Sequence, residues 1–106
     1  MNEQEKQIMA IISGSGDSKA KAFEALKKVK ENDYEGARKL LEEAKHADLQ
    51  AHKTQTELIQ AELSEGEEKP IVNLLMVHAQ DHYMTSQLAR DLIETLIDIF
   101  ETKEGK

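Results

Sequence analysis

The chain has 106 residues, 33% of them charged, a formal net charge of −7 and a mean hydropathy of −0.64, which bounds it to one domain whose modest core would gain from subunit association. The excess of acid over base argues against nucleic acid, whose phosphates demand a basic footprint, and against an anionic membrane surface. There is no cysteine, so disulfides, thiolate metal sites and a cysteine nucleophile are excluded within the chain, and any cysteine in its chemistry must belong to another protein.

The opening Met1-Asn2-Glu3-Gln4-Glu5-Lys6 lacks a basic region followed by an apolar one, and no apolar run approaches the roughly 18 residues of a membrane span. The expectation is a soluble, cytoplasmic protein. Pro70 is the only proline, and no alternating β-branched runs occur. The domain therefore reads as all-α.

A first helix is predicted over approximately residues 4–30. Ile8, Met9, Ile11 and Ile12 begin its apolar stripe, and Ala22, Phe23, Leu26 and Val29 resume it. Between them Ser13-Gly14-Ser15-Gly16-Asp17-Ser18 is poor helix material and predicts a kink or break, with Asp17 or Ser18 capping the second half of the helix. Asp33 is placed to cap a second helix over approximately residues 34–65, with Ala37, Leu40, Leu41, Ala44, Ala47, Ala51, Leu58, Ile59 and Leu63 at heptad-like spacing. Ser64 to Lys69 forms a solvated loop with Gly66 as the C′ residue. Pro70 suits the first turn of a third helix, approximately residues 70–101, whose inner face would carry Ile71, Leu74, Leu75, Leu88, Leu92, Leu96, Ile99 and Phe100. Thr102 to Lys106 should fray. Three helices with short connections make an antiparallel up-down-up bundle.

The third helix holds the chemistry. In Asn73-Leu74-Leu75-Met76-Val77-His78-Ala79-Gln80-Asp81-His82-Tyr83-Met84, offsets of three and four put His78, Asp81 and His82 on one face, among apolar residues. Polar groups in an apolar seam cost stability unless partnered. Four readings account for them. They are a satisfied polar core; a metal site built on histidines at i and i+4; a hydrolase with His78 as general base; or a nucleophilic histidine that takes up a phosphoryl group beside a stabilising neighbour. His46 and His52 on the second helix read as surface or boundary residues. Met76 and Met84 read as bundle fillers, and Tyr83 as a packing or rim residue.

Several segments together carry a family resemblance. They are Ile11-Ile12-Ser13-Gly14-Ser15-Gly16-Asp17-Ser18, Ala22-Phe23-Glu24-Ala25-Leu26, Gly36-Ala37 with Leu40-Leu41-Glu42-Glu43-Ala44, Ala51-His52-Lys53-Thr54-Gln55-Thr56 and, above all, Val77-His78-Ala79-Gln80-Asp81-His82-Tyr83-Met84-Thr85. In order and spacing the chain resembles, over nearly its whole length, the IIA component of lactose/cellobiose-type sugar phosphotransferase systems. The resemblance implies a homotrimer of three-helix protomers. It implies that His78 accepts a phosphoryl group from the general histidine phosphocarrier protein and passes it to a cysteine of the IIB component, which serves the membrane IIC component during disaccharide uptake. It implies that His82 and Gln80 stabilise the phosphoryl group, and that three Asp81 carboxylates share one divalent cation, Mg²⁺ by expectation, at the trimer axis. The rival readings are an adaptor bundle with a metal at His78, Asp81 and His82, and a small metal-dependent hydrolase.

Overall fold

A computed structural model of the chain describes residues 1–66 and 68–104. These fold as four α-helices: α1 (Glu3–Lys30), α2 (Tyr34–Ala47), α3 (Leu49–Leu63) and α4 (Leu74–Lys103). No strand occurs among the described residues. α1 packs along α2, α3 and α4 in a body of 56 × 25 × 19 Å.

α1 starts at a reciprocal cap. Asn2 Oδ1 accepts from the Glu5 N–H at 2.8 Å, and Glu5 Oε1 accepts from the Asn2 N–H at 3.0 Å. Lys27, Lys28 and Lys30 complement the dipole in the last turn. The predicted break at residues 13–18 is absent, and α1 runs as one continuous helix. The small residues there serve close packing. A Cβ on Gly14 would lie 3.1 Å from the Ala47 carbonyl oxygen and 3.3 Å from Ala51 Cβ. Ser15 and Ser18 are buried, and Ser18 Oγ donates to the Ala44 carbonyl at 2.7 Å. Tertiary packing overrides the weak local propensity.

The helix expected over 34–65 is instead two, divided at Asp48. Asp33 caps α2 as expected, accepting from the Gly36 N–H at 2.9 Å. At the division the Asp48 N–H still reaches the Ala44 and Lys45 carbonyls, both at 3.3 Å. Its carboxylate turns inward to Arg90, an interaction that apolar spacing does not register.

α3 ends at Ser64, so Gly66, with φ of +77°, falls one residue beyond the expected C′ position. Lys69 Nζ donates to the Glu62 and Ser64 carbonyls at 2.6 and 2.7 Å, satisfying the end of α3. Of the loop expected to be solvated, Glu65, Gly66, Glu68 and Lys69 are exposed; Glu67 lies outside the described residues. Pro70 is not in a helix. It opens an extended lead, and α4 begins after Asn73, whose Oδ1 accepts from the Met76 N–H at 2.9 Å. An asparagine cap outweighs proline at N1 here. Thr102 and Lys103, expected to fray, complete the last turn of α4. Gly105 and Lys106 lie outside the described residues.

The largest correction concerns the facing of α4. The buried stripe is Met76, Ala79, Tyr83, Ser86, Ile93 and Ile97. Leu74, Leu88 and Leu92, expected inside, are 84%, 58% and 56% exposed. Ile71, Leu75, Ile99 and Phe100 also face out, and Leu96 is half-buried. α4 is apolar on two faces. The one with smaller residues at Ala79 and Ser86 admits the close approach of α1, and the leucine face is left uncovered.

The core falls into two clusters. One gathers Ala22, Ala25, Val29, Tyr34, Leu41, Ile93 and Ile97 from α1, α2 and the second half of α4. The other gathers Ile8, Ile11, Ala51, Leu58, Met76, Ala79 and Tyr83 from α1, α3 and the first half of α4.

Candidate functional site

The Asn73 cap fixes where α4 starts, and so where its first turns project. His78 stands exposed on the second turn, and His82 is half-buried one turn later. Their rings meet edge-to-face, with centroids 4.8 Å apart and planes at 74°. His82 Nδ1 is buried with no hydrogen-bond partner, an orphan polar atom beside an accessible imidazole. His78 and His82 are thus brought together as the sequence spacing requires.

Asp81 lies on the same exposed face and makes no ion pair among the described residues. Thr85 Oγ1 donates to the Asp81 and His82 carbonyls at 2.9 and 3.2 Å, turning its hydroxyl back onto the helix that carries the site. No three histidine, aspartate or glutamate side chains converge as a metal would need among the described residues. A metal site complete within one chain at His78, Asp81 and His82 is therefore set aside.

Gln80 is not brought to His78. Two residues along a helix is more than half a turn, and Gln80 Nε2 is directed at Met76 Sδ at 3.6 Å. There it lines a shallow cleft of about 210 Å³ with Leu58, Ile59, Val72 and Pro70.

Behind the site lies a polar layer that sequence reasoning missed. Tyr83 is buried, as a packing residue, and its hydroxyl lies 2.5 Å from His52 Nδ1. Burial, and secondarily the charge of Asp48, push the Tyr83 phenol above the ordinary tyrosine range. One heptad on, Arg90 donates to Asp48 Oδ2 at 2.5 Å. The available signal was Asp48 itself, a charge at helical spacing from Ala44 and Ala51 on a face otherwise lined with alanine. His52 and His46 are both exposed, as expected.

An accessible imidazole with a second ring at its edge, on a face carrying no positive charge of its own, suits a nucleophile that meets another protein better than a pocket that holds a substrate. Comparison with known proteins decides the family. A family model described as PTS system, lactose/cellobiose specific IIA subunit, matches residues 6–101.

The chain belongs to the lactose/cellobiose-specific IIA family of the phosphotransferase system.

The N,N'-diacetylchitobiose-specific EIIA component of Escherichia coli (strain K12) is 42% identical over 99 residues, covering 93% of this chain and 84% of that one. The cellobiose-specific enzyme IIA of Bacillus anthracis superposes with a TM-score of 0.89 at 35% identity, covering 100% of this chain and 95% of that one. The IIA(chitobiose) in its complex with HPr from Escherichia coli superposes with a TM-score of 0.80 at 39% identity, covering 98% and 99%. As a IIA component the chain is a phosphotransferase component of sugar transport, and the adaptor reading is not favoured. No helix among the described residues is long and apolar enough to cross a membrane.

Proposed function

We propose that His78 is the phosphoryl-accepting nucleophile of this IIA component. The carrying observation is the exposed His78 imidazole, edge-to-face with His82, on a helix face that no described residue covers. The donor is the general histidine phosphocarrier protein, a reading supported by the HPr complex of the E. coli relative. A ring nitrogen of His78 attacks phosphorus. The new N–P bond forms as the donor's N–P bond breaks, and that electron pair returns to the donor imidazole. A IIB cysteine thiolate then attacks the same phosphorus. An S–P bond forms, the His78 N–P bond breaks, and IIB serves the membrane IIC component in uptake of a disaccharide. Both steps need positioning and charge neutralisation rather than covalent machinery in the chain. His82 donates a hydrogen bond to the phosphoryl oxygens. Gln80, turned away within its own chain, does so from a neighbouring copy.

The protomer's three rods run up-down-up: Ile8 and Ile11 meet Leu58 and Met76 at one end, and Val29 and Tyr34 meet Ile97 at the other, which supports this course. The protein is a cytoplasmic homotrimer. The uncovered stripe of Leu74, Val77, Leu88, Leu92 and Ile99 is the kind of surface that copies of a chain cover. Asp81 lies in that stripe with no cationic partner among the described residues, and its hard oxygen donors fit a divalent cation such as Mg²⁺. Three Asp81 carboxylates, one per copy, would hold it. The ion supplies charge neutralisation at the axis.

The test is labelling from phosphoenolpyruvate with the two general phosphotransferase proteins. Wild type should take one phosphoryl group per chain. His78→Ala should take none at unchanged helical content, and His82→Ala should label more slowly. Full labelling of His78→Ala would sink the assignment.

A further inference from the structure

The turns of α4 that carry the two imidazoles are joined to the other helices by a single directional contact. Beneath them Met76, Ala79 and the Tyr83 ring pack on Ile8, Ile11 and Leu58. Apolar packing is non-directional, and the methionine side chain is flexible. Such a bed resists separation of the helices more than it resists a small roll of α4 about its own axis. Between residues 74 and 87, among the described residues, α4 makes one hydrogen bond to another helix: the Tyr83 hydroxyl with His52 Nδ1 of α3, at 2.5 Å. A hydrogen bond weakens steeply off its axis, so this one senses rotation. Tyr83 follows His82 directly and stands five residues after His78. At 3.6 residues per turn its side chain leaves α4 about 100° round from His82 and about 140° round from His78. A roll that displaces the phenol therefore swings both imidazoles through the same angle. A ring roughly 6 Å from the helix axis moves about 1 Å for a roll of about 10°. Neither imidazole makes a hydrogen bond of its own among the described residues, and His82 Nδ1 is buried without one.

We infer that Tyr83 and His52 are positioning residues for phosphoryl transfer: their hydrogen bond fixes the roll of α4, and with it the direction in which His78 meets phosphorus and His82 supports the phosphoryl group. The inference rests on the His78 reading above. Both residues act through α4 and not on phosphorus. Arg90 pairs with Asp48 farther along the same helix, but through a long side chain and two turns beyond the imidazoles. It limits the roll when the nearer bond is lost, without restoring the aim of His78. In-line displacement is sensitive to that aim, because an ångström of misplacement of the reacting groups costs up to about a hundred-fold in rate.

The experiment is single-turnover transfer from the phosphorylated donor protein to varied concentrations of the full chain, giving a limiting rate and a half-saturation concentration. Tyr83→Phe keeps the buried ring and removes the hydroxyl. It should lower the limiting rate about ten-fold, a partial misplacement because the Arg90 pair remains, with half-saturation unchanged. His52→Ala, at an exposed position, should do the same. The two together should be no slower than either alone, since they remove one bond. His52→Asn keeps a polar atom close to the place of Nδ1 and should recover most of the rate. A purely structural role would lower the melting midpoint of Tyr83→Phe and leave its limiting rate at the wild-type value, and that result overturns the inference. So does a rise in half-saturation alone, a loss in His52→Asn equal to that in His52→Ala, or losses that multiply in the double variant. If wild type takes no label at all, the His78 reading fails; if wild type labels and Tyr83→Phe transfers at the same limiting rate, only the positioning role fails.

Discussion

Asp48 Oδ2 and Arg90 Nη1 are 2.5 Å apart, on side chains only 3% and 13% exposed. The pair ties the division between α2 and α3 to the middle of α4. It sits one heptad from the Tyr83–His52 contact, so two polar tethers fasten the back of the helix whose front carries His78 and His82. The second carboxylate oxygen of Asp48, Oδ1, is buried without a partner.

Removing one member should therefore cost far more than removing both. Arg90→Met strands a buried carboxylate and should destabilise by about 3–5 kcal/mol. Asp48→Leu with Arg90→Met should recover most of that, because a buried pair is often replaceable by apolar side chains. Urea unfolding of the single and double variants decides it. A single variant within about 1 kcal/mol of wild type would mean that solvent reaches the pair.

Two glycines in α1, two residues apart, should respond oppositely to alanine. A Cβ on Gly16 meets nothing within 4 Å, so Gly16→Ala should stabilise by about 0.5–1 kcal/mol through helix propensity. A Cβ on Gly14 meets the Ala47 carbonyl and Ala51, so Gly14→Ala should destabilise by about 1–3 kcal/mol through overpacking. Thermal melts of the two variants are the check. Equal shifts would mean that α1 does not pack on α2 and α3 as closely as the structure has it.

On the proposal that three Asp81 carboxylates share a cation in a trimer, Asp81→Leu should keep the trimer and lose the cation. Three converging carboxylates without a cation repel, so chelator should lower the wild-type melting midpoint. Leucine removes that repulsion and adds roughly 1.5–3 kcal/mol of burial per side chain. The variant's midpoint should thus exceed that of wild type in chelator, with phosphoryl transfer slowed rather than abolished. A wild-type midpoint indifferent to chelator, with dissociation of Asp81→Leu, would show that Asp81 makes some other contact.

The fold class and the His78–His82 pair were legible because helical periodicity and i, i+4 spacing are local properties of the chain. What was not legible depended on partners far away in sequence. Gly14 and Gly16 read as helix breakers because propensity sees only neighbours, whereas Ala47 and Ala51, distant in sequence, decide the role of Gly14. Asp48 read as one more residue of a long helix because its partner is on α4. The facing of α4 was misread because two of its faces are apolar, and the bulkier one, which hydrophobicity ranks first, is the one the described residues leave uncovered. Gln80 was placed near His78 by family resemblance. Helix geometry within one chain separates them.

The division of the core into two clusters sets what each end of the molecule is answerable for. Met76, Ala79 and Tyr83 underlie the turns that carry the imidazoles, and Ile93 and Ile97 underlie the far end, with buried Ser18 and Ser86 between them rather than large side chains. Substitution at Ile97 should lower stability with less effect on the aim of His78 than substitution at Met76, which should disturb both. Durability and reactivity can therefore drift separately along the length of a single helix.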